Sequence, residues 1–537
     1  MKIKPLILFI AISLFSIPVA VYAQAPDLGT TANFVLFSTD GAVSNSGISQ
    51  LTGNVGTNNG SSTAFGNVNG VMQDNNGASA QCAADLLIAY NQLNSEIPDF
   101  FPASLLGNGQ ILVPGVYSIS EASTLNLELI LDAQENPDAV FVFQIQGPLS
   151  TNADSKVKLI NGALACNVFW KIEGLVSMAS GTTMRGTIIA NNSAINMSTG
   201  DTLEGRALST AGAITVDGIL AYTPTGCGSP VHLGPAAPDL ASTVCYAIFS
   251  SNGSVTNAGI TLVTGDVGTN VGLTTGFDAL NVTGEIHPIP DVSTAACAAD
   301  LLIVYDYLNT LPIDIELLYP AQFGNNLVLT PHTYLLNAAT TFTDTLYLNA
   351  EGNENAVFVI KVIGALATST FSKVILINGA LAENVYWSID GSVEINDNSI
   401  FNGTIICNNG AISLTDGVEL NGRVLTTGGA LNTSAVTVII PPGCPTIGIE
   451  PVSANPIEIV NIYPNPFCSS LNVIVNDVSN LNNAVIKIYN VMGIEIICSV
   501  ITDKKTVIET DDIPAGLYLY KIENNNNIIQ SGRLISQ

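Results

Sequence analysis

Three histidines, nine cysteines and 43 carboxylates are the groups from which this chain could assemble a reactive centre, and their spacing assembles none. His232, His287 and His332 lie far apart in linker or turn contexts, which reads as solvated side chains rather than metal ligands. No CxxC, HExxH or GxSxG occurs, and no Walker-type lysine follows a glycine-rich turn. The carboxylates form no matched pair suited to acid–base work. Neither an enzyme nor a cofactor site is expected. The spacing that does recur belongs to small neutral residues. Gly174-Leu175-Val176-Ser177, Ser193-Ala194-Ile195-Asn196 and Gly212-Ala213-Ile214-Thr215 follow one another at steps of 19 residues. On a strand the apolar middle residue points inward and its neighbours outward. Leu175, Ser177, Ala194, Asn196, Ala213 and Thr215 then form an outward ladder, and Gly47-Ile48-Ser49 repeats the pattern, placing Gly47 and Ser49 in a further rung. A later stretch offers Thr261 in Gly259-Ile260-Thr261, then Ser392, Ala411, Ser413, Ala430 and Asn432, with Glu394 as an intruding charge. Such an array breaks no bonds. It sets methyls, hydroxyls and amides at about 4.8 Å between rungs and about 7 Å along a strand, spacings at which water can be ordered.

A ladder of that kind needs a stacked coil beneath it, and the chain repeats itself accordingly. Ala83-Ala84-Asp85-Leu86-Leu87-Ile88 returns as Ala298-Ala299-Asp300-Leu301-Leu302-Ile303, and Ile160-Asn161-Gly162-Ala163 returns as Ile377-Asn378-Gly379-Ala380. Residues 24–227 and 239–444 read as two copies of one domain, joined by a Pro/Gly linker at 228–238. Residues 445–458 read as a second linker, before a module at 459–537. Three short β segments per turn of about 19 residues describe a three-faced solenoid. The row Val168-Phe169-Trp170, Thr187-Ile188-Ile189, Arg206-Ala207-Leu208 is apolar on both sides and needs a cover. A helix from about Ala80 to Asn94, capped by Ser79, and its counterpart from Thr294 to about Leu308 would supply it. Trp170 and Trp387 read as packing residues. The row holding Met184 and Leu203 points Arg185 and Glu204 to solvent.

Composition narrows the partners. A formal net charge of −28 excludes a phosphate-binding surface for nucleic acid and disfavours anionic membranes. Only 11% of residues are charged, so small neutral polar groups must cover the surface. Residues 1–23 read as a signal peptide, with Lys2 and Lys4 before an apolar run and cleavage after Val21-Tyr22-Ala23. In an oxidising compartment the cysteines found in both copies, Cys82 with Cys297 and Cys227 with Cys444, are candidates for an equivalent bridge within each copy. Cys166 has Glu383 at its matched position and cannot serve both.

Each copy resembles the microbial family of ice-binding proteins. The resemblance rests on Leu28-Gly29-Thr30-Thr31-Ala32-Asn33-Phe34, Thr52-Gly53-Asn54-Val55-Gly56, Pro114-Gly115-Val116-Tyr117, Ala139-Val140-Phe141-Val142 and Asn167-Val168-Phe169-Trp170. It implies a mainly β fold of two tandem three-faced right-handed β-solenoids, each with one long α-helix alongside. It also implies adsorption to an ice crystal surface through the uncharged ladder, inhibiting ice growth and recrystallisation. A cell-surface adhesin or carbohydrate-binding solenoid is the alternative. The second copy departs further, with Leu240-Ala241-Ser242-Thr243 at its entry and Glu394 on its ladder, and is expected to be the weaker binder. Residues from Ile459 resemble the C-terminal sorting domain of the type IX secretion system, through Ile462-Tyr463-Pro464-Asn465-Pro466-Phe467 and Pro514-Ala515-Gly516-Leu517-Tyr518. That resemblance implies a small β-sandwich, engagement of the secretion machinery, and release or attachment to cell-surface polysaccharide outside the cell.

Overall fold

The computed structural model describes residues 23–227, 232–444, 460–475, 484–490, 493–501, 503–524 and 527–537. The signal peptide up to Tyr22, the first four residues of the 228–238 linker and the whole 445–458 linker lie outside these residues. The chain divides into a unit up to Cys444 and another from Pro445.

Each copy is a parallel β-solenoid. In the first, one face is an eight-stranded sheet whose strands lie in the order Ser62–Thr63, Val43–Ser46, Ile214–Asp217, Ile195–Met197, Val176–Ser177, Leu149–Thr151, Ser123–Asn126 and Leu105–Gly107. The other two faces merge into a 13-stranded sheet. They merge because Thr183–Ala190 and Thr202–Ser209 turn the corner as single strands of eight residues. Glycine makes that corner possible. A Cβ on Gly205 would lie 1.8 Å from the Gly186 carbonyl oxygen, and one on Gly422 would lie 1.8 Å from that of Gly403.

The coil is not wound in sequence order. Phe34–Ser38 pairs with Thr202–Ser209, and Val43–Ser46 with Ile214–Asp217, so the first turns sit on the last. The helix α1, Gly77–Ser95, carries the chain to the opposite end before winding resumes. Its 19 residues span about 28 Å at 1.5 Å each. Seven steps between eight rungs come to about 34 Å, so helix and exit segment together match the stack. The helix starts earlier than Ser79. Asn76 is the N-cap, accepting from the Ser79 amide at 2.9 Å, while Ser79 Oγ accepts from the Asn76 amide at 2.9 Å. In α2, Val292–Thr310, Asp291 and Thr294 do the same.

Cys82, Leu86, Ala89 and Leu93 of α1 pack on Phe37, Val142, Phe169, Ile189 and Leu208, which covers the face that is apolar on both sides. The expected row on that face is corrected by one residue: Trp170, not Phe169, stands opposite Ile188 and so in line with Ala207. The corner from Trp170 to Val176 is one residue shorter than that from Ile188 to Ile195, and a one-residue slip exchanges inward for outward side chains. Trp170 and Trp387 are therefore core residues, with their indole N–H groups donating to the carbonyls of Arg185 and Asn402.

The expected bridges are also corrected. Cys227 pairs with Cys166, and Cys444 with Cys245. Cys82 and Cys297 are free thiols buried between helix and sheet. They recur because the helix packs identically twice, not because they bond. The histidines are engaged rather than solvated. His287 is 3% exposed and meets Asp291 at 2.6 Å, His232 meets Glu351 at 2.9 Å, and the His232 and His332 rings lie 4.8 Å apart.

The second solenoid seats on the open end of the first. The Tyr319 amide donates to Asn67 Oδ1 at 2.9 Å, and Asn67 Nδ2 donates back to the Tyr319 carbonyl at 3.0 Å. Asn69 Nδ2 donates to Thr330 Oγ1 at 3.0 Å, and Tyr334 donates its hydroxyl to Asn69 Oδ1 at 2.7 Å. Described by itself, the C-terminal unit has a three-stranded and a four-stranded antiparallel sheet. They share a core that includes Leu471, Val473, Ile486, Ile488 and Ile522.

Two outcomes follow. Gly205→Ala should lower unfolding free energy by at least about 2 kcal/mol in chemical denaturation, because backbone rather than a movable side chain must give way. Peptide mapping without reductant should recover linked peptides for Cys166 with Cys227 and for Cys245 with Cys444. Recovery of a Cys82 bridge would contradict the helix packing.

Candidate functional site

The register of the eight-stranded sheet sets one outward residue from every rung in a single line. It runs Thr63, Ser44, Thr215, Asn196, Ser177, Ser150, Thr124 and Leu105. Two positions earlier on each rung stands a second line that includes Ala42, Ala213, Ala194, Leu175 and Pro148. Their carbonyls accept from Ile214, Ile195, Val176, Leu149 and Ser123 of the neighbouring rungs at 2.8–3.0 Å. Thr215 and Asn196 are exposed and Ser177 is half-buried, while Ile214, Ile195 and Val176 between the lines are fully buried. Ser44, Thr215, Asn196 and Ser177 make no side-chain hydrogen bond to protein among the described residues, so their polar groups face water. Thr124 and Ser150 bond each other at 3.0 Å.

Neither line in the first copy carries a charge. The nearest is Asp217 at the rim, whose carboxylate accepts from Thr199 Oγ1 at 2.6 Å and Ser46 Oγ at 2.8 Å. Those hydroxyl bonds hold its pKa below the usual carboxylate range. The second copy has the line Thr275, Thr256, Asn432, Ser413, Glu394, Ala367 and Thr341. Ala430, Ala411 and Ser392 flank it, with carbonyls bonded to Ile412, Val393 and Leu366. Thr256 donates to Asn432 Oδ1 at 2.6 Å, and Glu394 stands exposed in the middle.

Leu175, Ser177, Ala194, Asn196, Ala213 and Thr215 thus stand together on one sheet, as do Ser392, Ala411, Ser413, Ala430 and Asn432 on the other. Gly47, Ser49 and Thr261 do not. The rungs expected there run through Ala42-Val43-Ser44 and Ser254-Val255-Thr256 instead. Gly47-Ile48-Ser49 is the corner that follows. Ser49 Oγ donates to Asn45 Oδ1 at 2.6 Å, and Thr261, 3% exposed, donates to Asn257 Oδ1 at 2.6 Å. Ile48 and Ile260 are each 73% exposed rather than inward. The rungs missed from sequence, at Thr63, Thr124 and Ser150 among others, lie beyond turns of irregular length. The Leu149-to-Val176 turn runs 27 residues because Asn161–Asn167 makes an excursion.

A neutral ladder on a discontinuous solenoid with a helix alongside matches a known family. Residues 37–220 and 249–439 both fit the model described as Ice-binding-like. The chain belongs to the Ice-binding-like family. An ice-binding protein of Nostoc sp. (strain HG1) is 39% identical over 194 residues, covering 35% of this chain and 71% of its own length. That of Flavobacterium frigoris (strain PS1) is 29% identical over 200 residues, covering 34% and 71%. The crystal structure of an ice binding protein from an Antarctic bacterium, Flavobacteriaceae, superposes with a TM-score of 0.78 at 60% identity. It covers 78% of this chain and all of its own, more than one solenoid could supply. Ice-binding-like domains are binding modules, not enzymes. Residues 461–537 match the secretion system C-terminal sorting domain, which marks this Ice-binding-like chain for secretion or the cell surface through the type IX machinery.

Proposed function

We propose that the chain adsorbs to ice through the eight-rung ladder of its first solenoid, and so restrains ice growth and recrystallisation. The observation that carries this reading is the uncharged double line of short side chains on a sheet whose backbone fixes their spacing. Ice presents a repeating array of oxygens with neither charge nor pocket. Methyls of Ala42, Ala194 and Ala213 favour leaving bulk water, and the hydroxyls and amide of Ser44, Thr215 and Asn196 can each anchor a water. Individual contacts are weak, so binding depends on many rungs engaging one rigid plane together. Family membership supports the same reading, as do the names of the relatives. The second ladder is the lesser surface. Glu394 would keep its own hydration where a neutral residue stands at the matching rung of the first copy.

Thr215→Tyr and Ala194→Tyr should each lower thermal hysteresis severalfold without lowering the melting temperature of the protein, since both positions are on the surface. Unchanged hysteresis in both variants would remove this face from consideration. Glu394→Ser should raise hysteresis in a background already carrying Thr215→Tyr, and no gain there would count against a second working ladder. Asp217 has a depressed pKa and stays ionised, so hysteresis should be flat from about pH 5 to pH 9, measured in buffers of matched osmolality.

A further inference from the structure

The described residues of the first solenoid contain five basic side chains: Lys156, Lys158, Lys171, Arg185 and Arg206. Lys171 and Arg206 are buried structural groups, 1% and 4% exposed. The remaining three all line one groove of about 460 Å³ on the face outlined by Lys156–Ile160 and the first half of Thr183–Ala190. That volume lies within the range of small-ligand sites. In a chain of net charge −28, gathering every surface cation of a domain into one groove runs against the field of the whole molecule.

The second solenoid has no such gathering. At the matched positions, 217 residues on, Lys158 becomes Ile375, Arg185 becomes Asn402, Glu128 becomes Thr345 and Glu204 becomes Asn421. The groove wall differs as well. It is built by Leu164 and Thr225, which the Cys166–Cys227 bridge holds side by side, and Glu383 stands where the second copy would need that cysteine. Charge and wall are thus both particular to the first copy.

We propose that this groove binds a carboxylate-bearing saccharide, a uronic-acid segment of a polysaccharide. Lys158 meets Glu128 at 3.8 Å, Arg185 is bonded to Glu204 and donates to the Tyr222 hydroxyl at 3.2 Å, and Lys156 has no ion pair among the described residues. Three cations against two carboxylates leave one positive charge, which fits one sugar carboxylate. The two glutamates accept from sugar hydroxyls, and Leu159 and Leu164 offer apolar surface to a ring. The ladder lies on a different sheet, so the saccharide and the ladder can be occupied together.

The test is calorimetric titration of the full secreted chain with a galacturonate heptamer, with maltoheptaose as the neutral control. Binding of the galacturonate alone, weakening as salt is raised, is expected. A Lys156→Glu, Lys158→Glu double variant should lose about tenfold or more in affinity, and Arg185→Gln should fall in the same direction without reversing charge. Thr215→Tyr should bind like the parent, which separates this site from the ladder. Equal binding of the neutral sugar, unchanged affinity in both groove variants, or no heat with galacturonate at millimolar concentration would each overturn the assignment.

Discussion

The rest of the structure depends on the parallel backbone hydrogen bonds that lock each turn to the next. Because every rung donates to and accepts from its neighbours in register, the spacing between turns is a property of the peptide unit and not of any side chain. That frees outward positions to be small. A helix surface or a loop could carry the same Ala, Ser, Thr and Asn residues but would not hold them on a flat repeat. It also explains the tolerance for polar groups inside the coil. Ser123 and Ser155 are fully buried, yet each donates to a backbone carbonyl, of Ser104 and Leu125.

The interrupted winding has a mechanical role. Since the first turns close onto the last, no rung in the middle of the stack is a chain terminus, and the helix ties both ends. Asp85 of α1 accepts from the Thr30 amide and hydroxyl at 2.7 and 2.6 Å, and Asp300 of α2 holds Ser242 in the same way. Further along, Tyr90 donates to Glu173 and Tyr305 to Asp390, both at 2.5 Å. The repeated Ala-Ala-Asp-Leu-Leu-Ile segment thereby acquires a reason. Its leucine packs on the sheet and its aspartate fastens the chain entry.

Much of this was legible in the residues. The 19-residue step, the double-sided apolar row and the helix to cover it follow from the period and from alternation, which are local. The parts that misled were settled by single-residue differences at corners. One residue fewer between Trp170 and Val176 moved Phe169 to the helix side. Gly47-Ile48-Ser49 imitates a rung because small–apolar–small is also what a braced corner looks like, and only the pairing of Val43 with Ile214 distinguishes them. The cysteines misled for a related reason. Recurrence in both copies signals a shared environment, and at Cys82 and Cys297 that environment is a dry helix interface. The rungs at Ser150 and Thr124 were hidden by insertions that leave the sheet undisturbed while breaking the count.

The joint between the solenoids bears on how far such stacking could continue. It relies on the amide of Tyr319 and the hydroxyl of Thr330 at the receiving end of the second copy. At the free receiving end of the first copy the matched residues are Pro102, which has no amide hydrogen, and Val113, which has no hydroxyl. Another molecule offering its own leading turn there would find neither partner. Two modules of one architecture are thereby joined once, and the chain is protected from fibre formation at the very surface where repetition invites it.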